Sequence, residues 1–210
     1  MVDAPNKRRR GRPKTFERPK VVSVAMQSYW QDGVDGVSLN EVCRLAGVSK
    51  PGVYREFGGE DGLKAAAFKH YAEVVSGSML SEVVGAQPFA QGLTALIQAV
   101  TTPAEARPLG CLLAKTRWSS ARLGPETRAQ VDAAVETVHE AFMAWVLQAK
   151  TRGEIPADIA VDVAAAFLIT QFNTILMQMA AEEDPTFIRA QARLAFAGLL
   201  GSSLSLEETV

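Results

Sequence analysis

A chain of 210 residues, 48% hydrophobic and 21% charged, is long enough for one or two domains with an apolar core and too apolar to stay disordered. Its net charge of −1 conceals an asymmetry, because residues 1–20 carry eight Lys/Arg against two acids while the part beyond residue 70 carries nine against fifteen. A polyanion partner is therefore expected at the N-terminal end alone.

Two cysteines far apart and two histidines leave neither a disulfide framework nor a metal spacing. No apolar run reads as a membrane span, and no apolar stretch follows the basic N-terminus as a secretory signal would require. No membrane association is expected, and the cytoplasm is the expected compartment. No acid/base pair, phosphate loop or metal spacing points to an enzyme, and no cofactor is expected.

Residues 1–15 lack apolar periodicity and read as a disordered basic arm. Its Arg8, Arg9, Arg10, Arg12 and Lys14 are candidate DNA contacts. Arg10-Gly11-Arg12-Pro13 resembles the core of an AT-hook, whose arginines enter the narrow, strongly negative minor groove of A·T-rich DNA. The alternative is a generic basic arm that binds phosphate without sequence preference. A first helix is expected over Phe16 to Trp30, with Pro19 in its first turn and an apolar face from Val21 to Trp30. Gly33 and Gly36 end it.

Next come two short helices joined by a tight turn. Ser38 and Glu41 have capping-box spacing, and Leu39, Val42, Cys43 and Ala46 mark a buried face. Gly47 suits a left-handed stop, Val48 fills the elbow, Ser49 caps again, and Pro51 falls in a first turn. This is a helix-turn-helix, whose second helix reads the major groove in DNA-binding proteins. Ala46-Gly47-Val48-Ser49, then Tyr54, Phe57 and Leu63, resemble the DNA-binding signature of the tetracycline-repressor (TetR/AcrR) family. The resemblance implies a homodimer on a near-palindromic double-stranded operator, released when an unidentified small molecule enters the C-terminal domain. It also implies that Lys50, Pro51, Gly52, Tyr54 and Arg55, with the caps Ser38 and Ser49, form the DNA-contacting set. Tyr54 has a second reading as a supporting aromatic. Glu60 departs from the family, which commonly has a phosphate-clamping Lys there, so repulsion by Glu60 and Asp61 is expected.

The fold expected is all-α: an arm over 1–15, a three-helix DNA-binding domain over 16–62, and a helical ligand-binding and dimerisation domain over 63–210. One amphipathic helix is expected from Leu63 to about Leu80, another from Pro88, and another from Leu109 to Trp118. A long helix should follow from Pro125 to about Arg152, then helices over Asp158 to Ala181 and from Asp184-Pro185 to about Leu200. Cys111 is read either as a small buried residue or as a thiol sensor, with Lys115 one turn on favouring the thiolate. Trp118, His139, Phe142, Trp145 and Gln171 join it as candidate effector contacts. The last two helices are apolar over more than one face, so they must bury a second face. By the resemblance they form the dimer interface, with Phe167, Ile175, Leu194 and Ala195 as candidates. A competing function class is an architectural protein that coats A·T-rich DNA through its arm.

Overall fold

A computed structural model of the chain describes residues 16–77, 88–103, 107–117 and 122–200. The arm with Arg8, Arg9, Arg10, Arg12 and Lys14, residue Trp118 and the tail from Ser202 lie outside the described residues.

Pro19 sits in the first turn of α1 (Arg18–Asp32), where its missing N–H forfeits no helical bond. Val21, Val22, Ala25, Met26, Tyr29 and Trp30 are buried, the face the periodicity marks. In α2 (Leu39–Ala46) the Ser38 hydroxyl accepts from the Glu41 N–H at 3.2 Å. The other half of the capping box is not made. The Glu41 carboxylate takes the Arg44 guanidinium instead, at 2.6 and 2.9 Å, because a charged fork outbids a single neutral N–H. Gly47 stops the helix at φ 69°, and the Ser49 hydroxyl opens α3 (Lys50–Phe57) by accepting from the Gly52 N–H at 3.3 Å.

α4 (Glu60–Tyr71) starts three residues earlier than expected and runs on into a π-helical turn, Ala72–Ser76. Its expected continuation to Leu80 lies outside the described residues. Then follow α5 (Phe89–Thr101), α6 (Leu112–Arg117), α7 (Pro125–Thr151), α8 (Val161–Ala180) and α9 (Pro185–Leu200). α8 begins three residues later than the sequence suggests. The Ile159 N–H turns back to the Pro156 carbonyl, and the Ile159 carbonyl accepts from the Lys150 ammonium, so the chain is still turning there. α6 likewise begins at Leu112 rather than Leu109, after Gly110 at φ 79°. Among the described residues every regular element is helical.

Two cores form. One gathers α1–α3 around Leu63, Ala67, Phe68 and Tyr71 of α4, and continues into Leu112 and Leu113 of α6 and Val131 and Ala134 of α7. It therefore crosses the line drawn between residues 62 and 63. The other is built by α5, α7, α8 and α9, with a chain of rings linking Phe89, Trp145, Phe142, Phe172 and Phe196 at centroid spacings of 4.7–6.0 Å. One expectation fails on length and composition: α8, 20 residues long with an 18-residue stretch of mean hydropathy 1.4, is long and apolar enough to cross a membrane. Its apolarity has another use here, since one face packs into the second core.

Phe68 is fully buried where head and body share a core. Phe68→Ala is expected to cost about 3–5 kcal/mol, read as a lowered urea midpoint by circular dichroism.

Candidate DNA-binding surface, effector cavity and dimer face

α3 buries Gly52, Val53 and Phe57 and exposes Lys50, Pro51, Tyr54, Arg55 and Glu56. Positions 50, 51, 54 and 55 fall on one side of a helix, so these four side chains form one outward face. Tyr54 is 56% exposed, with its ring edge lying along Gly59, and this favours a surface role over a core one. Arg55 pairs loosely with Glu56 at 3.3 Å, both reachable by solvent.

Gly52 does not belong to that face. Its N–H is taken by Ser49, and a Cβ there would stand 3.1 Å from the Phe16 ring. Phe16 also meets Phe57 at 6.1 Å, and the Arg18 guanidinium lies 4.8 Å above the Phe57 ring. Gly52 is thus the seat for Phe16, which packs directly beside α3. The family resemblance places this glycine in the DNA-contacting set, and only the packing reveals its inward direction. The caps Ser38 and Ser49 spend their oxygens on helix N-termini.

The expected acidic repulsion is largely defused. Glu60 pairs with Lys64 at 2.8 Å. Asp61 turns away from α3 and caps α7, whose own N-cap residue, Gly124, has no side chain to offer. One Asp61 oxygen accepts the Glu126 N–H at 2.9 Å; the other accepts the Thr127 N–H at 3.1 Å and the Thr127 hydroxyl at 2.6 Å. Burial pushes this carboxyl up, but the Thr127 hydroxyl, the two amides and Lys64 outweigh it and hold it below its ordinary value. The stabilisation it adds is complete above the unfolded-chain value and lost as pH falls through the lower folded one.

Above the head lies a cavity of about 480 Å³. Leu96, Phe142, Phe172 and Leu176 supply apolar wall, and Arg107, Cys111, Glu136, His139, Thr170 and Asn173 supply polar groups. Cys111, His139 and Phe142 are thus brought together as expected. Trp145 and Gln171 are not: Trp145 is fully buried in the ring chain, and Gln171 points to another side of α8 than Asn173. Trp30 and Tyr71 join the lining from the head side, a role that no sequence signal separates from core packing.

Those two aromatics tie head to cavity. The Trp30 indole N–H donates to the Gly110 carbonyl at 3.0 Å, and the Lys115 ammonium donates to the Trp30 carbonyl at 2.8 Å. The Tyr71 hydroxyl donates to Cys111 Sγ at 3.2 Å and accepts from the Leu112 N–H at 3.3 Å. Burial raises the Tyr71 hydroxyl well above its usual range and lowers the Lys115 ammonium. One N–H of the Lys115 ammonium is directed to a backbone carbonyl of α1. Cys111 is half-buried, and Cys43 is buried with its thiol pushed up by desolvation.

The last two helices leave an apolar stripe uncovered. Val163, Ala166, Thr170, Thr174 and Met177 on α8 and Phe187, Ala190, Leu194 and Gly198 on α9 recur at helical spacing and are exposed, Leu194 by 80%. Ala195 and Phe167 flank the stripe half-buried, Phe167 edge-on to Phe196. Ile175 does not belong to it, being 3% exposed within the second core.

Residues 21–67 match the model of the bacterial regulatory proteins of the tetR family, and residues 90–195 match that of the tetracyclin repressor-like C-terminal domain. Two Escherichia coli K12 proteins are similar over the head: the HTH-type transcriptional repressor ComR, 36% identical over 67 residues, and the HTH-type transcriptional repressor BdcR, 34% identical over 71. Those matches cover 32% and 34% of this chain, and the chain spans about a third of the length of each relative (32% and 36%). Among solved structures, a cysteine mutant of the TetR-family regulator CifR, complexed with 26-bp operator DNA, superposes with a TM-score of 0.76 at 22% identity, over 90% of this chain and 100% of that one. The reduced form of E. coli NemR does so with a TM-score of 0.71 at 15% identity, over 85% and 96%. With a helix-turn-helix head and a helical body each matched in its own right, the chain belongs to the tetracycline-repressor family of bacterial regulatory proteins.

Proposed function

We propose that the chain is a homodimeric transcription repressor that reads a near-palindromic operator and is released by a small, mainly apolar effector. The exposed quartet on α3 carries this reading: a cation at Lys50, an apolar edge at Pro51, a phenol at Tyr54 and a guanidinium at Arg55. Lys50 suits a base edge or phosphate, Pro51 a thymine methyl, and Tyr54 and Arg55 phosphate oxygens. Arg10 and Arg12, in the stretch that resembles an AT-hook, suit the narrow, strongly negative minor groove of A·T-rich DNA.

A second copy suits the stripe on α8 and α9, which carries no charge that a two-fold axis would set against itself. The small residues at Ala190 and Gly198 allow close helix approach on either side of Leu194. The cavity has the size and mixed lining of a small-molecule site, with aromatic walls for a planar body and Arg107, His139 and Asn173 for its polar end. Cys111 adds a second reading, thiol-based sensing, because its half-buried sulfur lines that cavity.

Selection from a randomised duplex pool is expected to recover a dyad-symmetric site, with Lys50→Ala lowering preference over random duplex. Deleting residues 1–14 should weaken binding to both and flatten the salt slope by up to about 5. Recovery of no preferred sequence overturns operator reading. Leu194→Glu is expected to yield a folded monomer in sedimentation velocity; an unchanged dimer removes the stripe from the interface. In the native chain a thiol reagent should label Cys111 well before Cys43, and Cys111→Ser should erase that first phase. Equal labelling of the two removes the basis for a sensor.

A further inference from the structure

Three observations converge on Asp61. It stands in the first turn of α4, four residues after α3 ends, separated from it only by Gly58, Gly59 and Glu60. Its carboxylate caps a helix 65 residues away in sequence, and that helix carries no capping side chain of its own. The same helix, α7, lines the cavity two to four turns further on, through Val135, Glu136, Val138, His139 and Phe142. Both sides of the contact are cut to fit. A Cβ on Gly124 would lie 2.3 Å from the Asp61 carboxyl carbon, and one on Gly62 would lie 1.8 Å from the Phe57 carbonyl oxygen at the end of α3.

We propose that Asp61 is a positioning residue for DNA reading: its carboxylate, clasping the N-terminus of α7, transmits the setting of the cavity to α4 and so to the adjoining recognition helix. The inference rests on α3 as the DNA reader and on the cavity as an effector site. A helix N-terminus is a rigid, directional partner, since its free N–H groups point along the axis and carry a partial positive charge. A carboxylate that accepts two amides and a hydroxyl there fixes both the distance and the angle between the two helices. α3 packs on α4 through Phe57 and Leu63, so it must follow α4. A displacement of α7 by a bound molecule reaches the DNA face through this contact, without passing through the far end of α4.

The test perturbs the joint from each side. Gly124 has φ −65° and ψ 164°, which any residue adopts, so Gly124→Ala does little except push the carboxylate off its donors. Asp61→Ala removes the acceptor, and Asp61→Asn keeps one carbonyl oxygen. Each full-length variant, checked for native helicity and dimer size, is titrated against the duplex that the wild-type chain selects from a randomised pool. Amide exchange at Glu126 and Thr127 reports whether the cap is open. Asp61→Ala and Gly124→Ala are expected to open the cap and lose roughly tenfold in affinity for that duplex, with Asp61→Asn between them and wild type. Should Asp61→Ala fail to fold, Thr127→Val, which removes one donor, carries the same expectation at a smaller size. Variants with an open cap and unchanged affinity overturn the proposal, leaving Asp61 a stabilising cap only. A wild-type chain that selects no duplex overturns both this and operator reading, and does so before any variant is made.

Discussion

Helix α4 has to be dry on two sides. Leu63, Ala67 and Phe68 are fully buried, with α1 and α3 against one flank and α7 against another. Burying a Leu or Phe in this way contributes about 1.5–3 kcal/mol each, a large share of the stability of so small a head. The consequence is mechanical as well as energetic. A helix-turn-helix with its own closed core would swing freely on a linker. This one shares its core with the body through α4. The π-helical turn at Ala72–Ser76 lies just beyond the shared part, where a widened turn interrupts the regular bonding.

Charge is divided along the chain in the same spirit. The head itself is nearly neutral, and its two acids at the start of α4 are occupied, Glu60 by Lys64 and Asp61 by α7. Neither is left to repel a phosphate at full strength. Positive charge outside the body is then concentrated in residues 1–20, and Phe16, seated on Gly52, is packed beside α3. The acidic excess of the chain lies in the body, beyond residue 70.

What the sequence made legible follows the range of the interactions involved. Caps, stops and apolar faces are local, so Ser38, Gly47, Ser49, Pro51 and the buried stripe of α1 read directly from spacing. Glu41 misled because its Arg44 partner, though equally local, competes for the same carboxylate. Long-range geometry was not legible. Asp61 meeting Thr127, Gly52 receiving Phe16, and Trp30 and Tyr71 lining a cavity all depend on how helices far apart in sequence cross. The same limit separated Leu194 from Ile175: both sit on apolar helices, and only packing decides which points inward.

Besides the shared core, side-chain hydrogen bonds tie the head to the body at two places. Near one, Trp30 and Tyr71 reach Gly110, Cys111 and Leu112. At the other, Asp61 grips α7. These attachments differ in leverage. Trp30 and Tyr71 line the cavity themselves. The second is remote: Phe142 lies fifteen residues from Thr127, roughly 22 Å along a straight helix. Over that length a tilt of about 3° shifts the α7 N-terminus by roughly 1 Å, enough to lengthen a hydrogen bond of 2.6–3.1 Å beyond useful range. On the role proposed for Asp61, α7 acts as a lever, and a small displacement beside the cavity suffices at its Asp61 end, because the capping bonds tolerate so little.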